Sequence, residues 1–515
     1  MSQSYQALTA YDVIQSRDRT SFKSEMGSQI MHSLHDTVTA LNAATVATHG
    51  DRRLRTRGRA VETQISGVIP HIARKAGHTP RTETGIGALM PWADRLWFVT
   101  YPASGPKSGD RIGLFSMDDL FEVTMHPDSA GGTYANRMIH DETDQLMIGP
   151  HLIDTAGTVR TIAELTDVRL AATARHLIHP DTHVYVLGME GEFFEADVTN
   201  ATANSLGNIC EDLGIHGIPH FKDAFTNHGR FVVANNSYFH DDYERGESDG
   251  RLAEWDGESW TIIARTQVNT VVGRYGDLGD AIHAVGQDRA SAVLWSYLPA
   301  TGWVERRLPK ATHTQDHGYT TEWPRLREVE SERWLLDASG MFYEIPTMHY
   351  GNALWGVRPV SSHLRIVGDF CTWNGLLVLA GDQGTPINNQ NVYAGQPQAN
   401  LWFGKTDDLW TWGPRAGWGG PWFESAVEAG VPSAPYLMTG FVHKSLHLES
   451  DVDVTVTVQV DYRGDGHWVD LERIAVSTTN GQGYAFHAFP DALGAHWVRL
   501  RADRPATITA QFVYQ

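Results

Sequence analysis

The chain has 515 residues, of which 41% are hydrophobic and 20% are charged, values that are typical of a globular protein rather than a disordered one. Its formal net charge of −20 argues against a nucleic-acid partner, because proteins that bind nucleic acid usually present a basic surface. The charge does not exclude an acidic substrate, since a local cluster of Arg and His can be positive on a negative protein.

The two cysteines, Cys210 and Cys371, are too few for a disulfide framework and indicate a reducing compartment. No basic segment followed by an apolar one opens the chain, and no stretch is apolar over the length of a membrane span. We therefore expect a cytoplasmic protein whose partners include neither nucleic acid nor a membrane.

Residues 1–57 differ from the rest, because Trp is absent before Trp92 and apolar residues from Ile30 to Val46 recur at mostly helical spacing. A basic run from Arg52 to Arg57 ends this segment. The pattern predicts an N-terminal helical segment of one or two helices. It either packs on the outside of the main domain or forms the contact of a homo-oligomer.

Residues 58–435 consist of short apolar runs, rich in aromatic and β-branched residues and separated by Gly, Asp and Asn, which is typical of an all-β fold. The clearest predicted strands are residues 96–100, 184–187, 230–234, 376–380 and 400–403.

A weak repeat is also present in this region. A Gly followed four residues later by Glu recurs at positions 191, 250 and 340. These spacings are close to one and two blade repeats, so we predict that residues 58–435 form a seven-bladed β-propeller that carries the catalytic site.

The remaining residues, 436–515, follow a linker flanked by Pro432 and Pro435. Asp453–Val460 alternates apolar and polar residues, and residues 497–501 and 506–512 are also strand-like. We predict a C-terminal β-sandwich. The Trp-rich run 410–422 before it is predicted to be a loop by its Gly and Pro content.

A first candidate site surrounds the predicted strand Gln145–Ile148. His140 is a candidate general base or acid, because imidazole titrates near neutral pH. The guanidinium of Arg137 can donate two parallel hydrogen bonds to a carboxylate. The further candidate substrate contacts are Tyr134, Asn136 and His151. His140 and His151 are expected in loops on opposite sides of the strand, so they need not share one site.

A second candidate is His220, in the segment His216–Lys222. Two histidines four residues apart suit a metal on a helix, but Pro219 between them argues against a helix. We expect His220 to be a catalytic pocket residue, and the alternative is a solvent-facing histidine in a turn.

The third candidate is the polar stretch from His317 to Glu328, which contains an imidazole, a phenol, two carboxylates, an indole and two guanidinium groups. We expect His317 and Tyr319 to transfer protons and Glu322, Trp323 and Arg325 to bind the substrate. The alternative is a salt-bridged turn. No cofactor is expected, although His313, Asp316 and His317 together would also suit a divalent ion.

Several segments carry a resemblance to known proteins: Asn136–His140, Ile148–Pro150, Thr321–Arg325, Asn400–Trp410, Tyr436–Phe441 and Ala495–Arg499. They resemble bacterial seven-bladed β-propeller proteins active on carbohydrates, including ulvan lyases, rhamnosyl-glucuronate lyases and the rhamnosidases of glycoside hydrolase family 145. The resemblance implies a propeller fold and an oligosaccharide or polysaccharide-derived substrate, often a uronic-acid glycoside. In ulvan-type lyases a His and a Tyr transfer protons and an Arg faces the uronate.

We therefore expect a lyase that cleaves a uronic-acid-containing oligosaccharide by β-elimination. Arg325 or Arg137 would neutralise the uronate, His140 or His317 would remove the C5 proton, and Tyr319 would protonate the leaving oxygen. One alternative is a glycoside hydrolase in which Glu322 is paired with a second carboxylate. Another is a propeller that binds carbohydrate without turning it over.

Overall fold

The computed structural model describes residues 67–68, 84–102, 105–107, 112–239, 248–274, 280–312, 324–330, 333–347, 349, 353–383 and 401–515. This part of the chain contains 37 β-strands and three short 3-10 helices, at Asp141–Thr143, Ala163–Leu165 and Thr406–Thr411. The all-β prediction is confirmed for these residues. The predicted helical segment 1–57 lies outside them.

Most of the strands form antiparallel meanders of four strands, and the described residues contain seven such meanders. Meanders 1 to 3 are β2–β5 (Thr84–Trp92, Arg95–Pro102, Leu114–Met117, Val123–Met125), β6–β9 (Arg137–His140, Gln145–Ile148, His151–Asp154, Val159–Thr161) and β10–β13 (Leu170–Arg175, His183–Gly188, Glu192–Asp197, Thr202–Asn208).

Meanders 4 to 6 are β14–β17 (Phe221–Asn227, Arg230–Asn235, Arg251–Trp255, Trp260–Ala264), β18–β21 (Gln267–Gly273, Ile282–Gln287, Ala292–Leu298, Gly302–Leu308) and β22–β25 (Arg325–Glu330, Arg333–Ala338, Met341–Pro346, Arg358–Ser362). Meander 7 joins β26–β28 (Val367–Trp373, Leu376–Gln383, Leu401–Gly404) to β1 (Gly67–Val68) from much earlier in the chain.

The chain divides into two compact units. The first consists of residues 1–170 and 368–408 and contains meanders 1, 2 and 7. The second consists of residues 171–367 and 409–515 and contains meanders 3 to 6 and the C-terminal sheets. Each unit therefore combines segments that are distant in sequence.

The Gly-to-Glu repeat marks one position of the meander. Gly191, Gly250 and Gly340 each immediately precede the third strand of a meander, which begins at Glu192, Arg251 and Met341 respectively. Gly191 and Gly340 adopt φ values of 92° and 72°, which favour Gly over residues with a Cβ atom. At Gly191 and Gly340 the second and third strands are joined by a tight connection, whereas Gly250 ends a longer connection between Asn235 and Arg251.

Nine further strands follow the meanders: β29 (Gly417–Val427), β30 (Tyr436–Leu437), β31 (Lys444–Ser450), β32 (Val454–Asp461), β33 (Val469–Val476), β34 (Thr478–Thr479), β35 (Gln482–Ala488), β36 (Trp497–Ala502) and β37 (Ala506–Tyr514). One sheet has the order β29-β37-β31-β35-β34. The other, β30-β36-β32-β33, continues meander 5, because Tyr436 pairs with Arg307 of β21.

These C-terminal sheets share one apolar core with meanders 5 and 6. Its members include Leu294, Leu336, Leu446, Val456, Leu500 and Phe512. The sheets include β29, which precedes the predicted boundary at residue 436, and β29 also occupies part of the run 410–422 that was predicted to be a loop. Pairing with β37 explains this difference, because a distant partner strand satisfies a backbone that is rich in Gly.

A buried ion pair connects the first strands of three successive meanders in the second unit. Asp223 of β14 accepts hydrogen bonds through Oδ2 from the Thr270 hydroxyl at 2.6 Å and the Val271 N–H at 3.1 Å, both in β18. The same oxygen lies 3.0 Å from Nη1 of the fully buried Arg325, the first residue of β22. We call this set the Asp223 network.

The first unit contains an equivalent set, the Asp369 network. Asp369 of β26 accepts the Leu89 N–H of β2 at 3.1 Å and pairs with Arg137, the first residue of β6, at 2.8 Å. Asp223 and Asp369 are each the third residue of a first strand, and Val271 and Leu89 each follow a β-bulge. The same arrangement of a buried Asp, an Arg and a backbone N–H therefore connects three first strands in each unit.

Removing one partner of a buried pair leaves an uncompensated charge, which typically costs about 3–5 kcal/mol. We expect Asp223→Ala to lower the free energy of unfolding by this amount, measured by urea denaturation. The double variant Asp223→Ala/Arg325→Leu should recover part of the loss, because both charges are gone. The control is Asp212→Ala, at an exposed position. Equal midpoints for the Asp223→Ala and Asp212→Ala variants would contradict the proposed role of the network.

Candidate functional site

The candidate site lies at the start of β14, where a β-bulge changes the strand register. Phe221 pairs with Asn235, but the next pair is Asp223 with Ala234, so Lys222 is the extra residue of the bulge. The backbone of His220 is fixed on both sides, because its N–H donates to the Ser237 hydroxyl at 2.9 Å and its carbonyl accepts the Asn236 N–H at 3.0 Å.

The side chains of His220 and Lys222 meet in the interior. His220 Nε2 lies 3.1 Å from Lys222 Nζ, and the two residues are 9% and 1% exposed. An ammonium group can only donate hydrogen bonds, so Nε2 is the acceptor and the imidazole is neutral in this arrangement. The site therefore holds a neutral base in contact with a cation.

A phenol lies next to this pair. The ring of Tyr238 is 5.8 Å from the His220 ring, nearly perpendicular to it at 77°, and Tyr238 is half-buried. Its backbone is held between two segments, since the Ile218 N–H donates to the Tyr238 carbonyl at 2.7 Å and Ser248 forms a β-bridge on the other side. A base, a cation and a phenol thus come from one short stretch of meander 4.

Two buried amides adjoin the same strand. Asn236 follows β15 beside His220, and Asn269 precedes Thr270 of the Asp223 network. They are 1% and 0% exposed, and neither carboxamide hydrogen-bonds to any described residue. Buried amides are rarely left without partners, because each unmade hydrogen bond costs roughly 1–3 kcal/mol. Both side chains are therefore suited to bind a polar ligand.

His140 and His151 lie at the two ends of β7, which spans Gln145–Ile148 as predicted. They occupy strand ends rather than loops: His140 is the last residue of β6, and His151 is the first residue of β8. Both are fully buried and bonded locally, His140 to Thr143 at 2.8 Å and His151 to Thr161 at 2.9 Å. The structure does not bring them together.

Burial lowers the pKa of His151 to about 4, and its Nε2 lies 3.1 Å from the Ala130 carbonyl. The imidazole is therefore neutral at pH 7. It lies between Thr161 of β9 and Ala130, which precedes β6, and it has no exposed surface with which to meet a ligand.

Of the other candidates in this region, Tyr134 and Asn136 are also buried and Arg137 is partly buried. Tyr134 and Asn136 are 0% exposed, and the Tyr134 ring packs so closely on Gly368 that a Cβ atom there would lie 1.8 Å from it. Arg137 pairs with Asp369, and its Nη1 is 2.7 Å from Met90 Sδ. All of these residues belong to the first unit, whereas His220 and Arg325 belong to the second.

Four predicted residues, His317, Tyr319, Glu322 and Trp323, lie outside the described residues, as do His313 and Asp316. Arg325 is described, and its guanidinium faces Asp223 rather than an open surface. Among the described residues no group of three or more His, Cys, Asp or Glu side chains is placed to hold a metal ion. Within the same part of the chain, no helix combines the length and apolar character needed to traverse a bilayer.

The sequence indicates His220 as a candidate site residue but gives no comparable signal for the side chains around it. Lys222 was only part of a polar segment, and Tyr238 follows a strand without any distinguishing motif. Asn269 lies inside β18, which the sequence analysis did not predict. The available signal was a polar residue at a position where an apolar one is expected, as in Phe221-Lys222-Asp223 and Val268-Asn269-Thr270.

The sequence matches no protein-family model and no curated protein. Solved structures that match in part include a nidogen–laminin complex, at 7% identity and a TM-score of 0.28 over 58% of this chain and 84% of that one. A luciferin-regenerating enzyme matches at 9% identity and a TM-score of 0.35, over 66% and 95% of the two chains.

A third match is a protein of unknown function from Bacteroides thetaiotaomicron, at 9% identity and a TM-score of 0.28, over 64% of this chain and 100% of that one. TM-scores this low support no inference about fold or activity.

The depressed pKa of His151 predicts a pH dependence of stability. Its folded pKa of about 4 lies below the usual 6.5, so the unfolded chain binds more protons between these values and stability falls as the pH drops from 6.5 towards 4. The contribution is roughly 3 kcal/mol. We expect His151→Asn to show a shallower loss of stability over this window in urea titrations at successive pH values.

The exposed His467 provides the control, because His467→Asn should leave the pH dependence unchanged. A His151→Asn variant with the same pH slope as the unmodified protein would show that this imidazole does not titrate as its burial requires.

Proposed function

We propose that the seven meanders are the blades of a seven-bladed β-propeller and that the C-terminal sheets form a β-sandwich. Two observations support the propeller. The seven meanders follow one another in sequence, each with four strands. The fourth strand of meander 7 is β1, and this return of the chain's beginning to its last sheet is what a closed ring requires.

We propose further that the protein is a carbohydrate-active lyase that cleaves a uronic-acid glycoside by β-elimination. The observation that carries this proposal is the contact of His220 Nε2 with Lys222 Nζ at 3.1 Å, with the Tyr238 ring beside them. A base, a cation for the carboxylate and a phenolic acid are the three groups that the reaction needs.

In the proposed mechanism Lys222 turns from His220 to the uronate carboxylate, which frees the Nε2 lone pair. The ammonium lowers the cost of the negative charge that develops on the carboxylate when C5 loses its proton. His220 takes that proton, the electron pair forms the C4–C5 double bond, and the C4–O bond breaks. Tyr238 protonates the leaving oxygen and regains its proton from the imidazolium or from water.

The remaining polar groups have supporting roles in this proposal. Asn236 and Asn269 supply buried amides for the hydroxyl or carboxylate oxygens of the sugar. Arg325, expected at first to face the uronate, instead pairs with Asp223 and holds the strand that carries Lys222. The roles assigned to His140, His317 and Tyr319 from the sequence remain predictions.

The proposal is tested by incubating the protein with uronate-containing oligosaccharides, including rhamnosyl-glucuronate ends, and following ultraviolet absorbance and product mass. A lyase gives a conjugated C4–C5 double bond with no added water. A product heavier by one water would make the protein a hydrolase. Binding without turnover across the panel would make it a non-catalytic carbohydrate-binding protein.

For the active protein we expect His220→Asn and Tyr238→Phe each to lower kcat/KM by about 100-fold or more, the usual effect of removing a general base or acid. Lys222→Met should also raise KM for uronates, because the carboxylate loses its cation. The matched control is His216→Asn, since His216 is exposed and lies four residues earlier in the same segment. Full activity in the His220 variant would refute the assignment.

A further inference from the structure

The outer face of the five-stranded C-terminal sheet carries aromatic and polar side chains in register. Across β35, β31 and β37 one row is Phe486, His447 and Gln511, and the next is Tyr484, Glu449 and Thr509. Leu446, Leu448 and Phe512 occupy alternate positions and are buried in the core. We call the two rows the β35 face.

The two aromatic residues on this face are more than half exposed, Tyr484 at 58% and Phe486 at 57%. They are two residues apart on one strand, so they project on the same side about 7 Å from each other. His447 holds both, because its Nδ1 is 2.9 Å from the Tyr484 hydroxyl and its ring is 5.3 Å from that of Phe486. The rings are thus fixed in place while they face solvent.

A cavity of about 400 Å³ adjoins the aromatic rings. Besides Tyr484 its lining is polar and contains Glu449, Thr509, Gln482, Ser450 and Asp451. No Lys or Arg belongs to the lining. Glu424 also lines the cavity, and its carboxylate pairs with Arg289 at 3.0 Å. Asp451 accepts a hydrogen bond from the Thr507 N–H.

We propose that the β35 face and its cavity bind a neutral oligosaccharide. Sugar rings present C–H faces that pack on aromatic rings, and their hydroxyl groups pair with carboxylate, amide and hydroxyl side chains. The acidic lining disfavours uronates and nucleic acid, since its carboxylates carry like charge and the nearby Arg289 is already paired with Glu424. Both aromatic rings lie on β35, and the polar groups lie beside them on β31 and β37. This mixed surface suits a polyol better than the continuous apolar patch of a protein interface does.

This inference goes beyond the proposed lyase activity and does not rest on it. The two sites prefer opposite ligands, because the His220 site contains a buried cation whereas the β35 face contains carboxylates. A chain with both would hold a mixed glycan through its neutral part while acting on an acidic residue of it.

The test is affinity electrophoresis of the full-length protein in native gels that contain soluble β-glucan, xylan, galactomannan or dextran, with a polyuronate gel for comparison. We expect retardation in at least one neutral gel. Tyr484→Ala and Phe486→Ala should each weaken binding about tenfold. Exposed substitutions of this kind usually change stability by no more than about 0.5 kcal/mol, and circular dichroism checks the fold.

Tyr462→Ala is the matched control, because Tyr462 is 57% exposed but lies outside the β35 face. The proposal is overturned if no neutral polysaccharide retards the protein, if only the polyuronate does, or if the two β35-face variants bind as well as the control. It is also overturned if size-exclusion chromatography shows a dimer that Tyr484→Ala dissociates, since the face would then join two copies.

Discussion

The buried pairing of Asp223 with Arg325 is the interaction on which the second unit depends. A fully buried guanidinium is tolerated only when a carboxylate compensates it, and a carboxylate only when its oxygens accept hydrogen bonds. Asp223 compensates the charge of Arg325, and it also accepts hydrogen bonds from the Thr270 hydroxyl and the Val271 N–H. Three first strands are therefore held in one relative position, and the Asp369 network does the same among the first strands of the first unit.

The candidate site inherits its geometry from this pairing. Lys222 immediately precedes Asp223, and His220 lies on the same short segment, so fixing the aspartate fixes the strand that carries the base and the cation. The bulge contributes as well, because it places an extra residue between two paired ones. A substitution in the Asp223 network would therefore disturb the candidate site as well as the fold.

His151 and His220 are both buried, but the groups that surround them differ. His151 is held neutral by desolvation and bonded to the backbone, which is the behaviour of a core residue. His220 is also buried, but its partner is an ammonium group and its neighbour a half-buried phenol. Of these two environments, only that of His220 places a proton acceptor, the imidazole, next to proton donors, the Lys222 ammonium and the Tyr238 phenol. Proton transfer requires such a pairing of acceptor and donor.

The sequence by itself determined the all-β class and the main strands, because alternation and β-branched residues are local signals. It also indicated His220 as a candidate, which stays a prediction. Only the tertiary structure paired Arg137 and Arg325 with carboxylates 232 and 102 residues away, and only it placed Tyr238 beside His220. Periodicity records which face of a strand is buried, but the partner of a buried charge depends on which strands pack together, and that is not a local property of the chain.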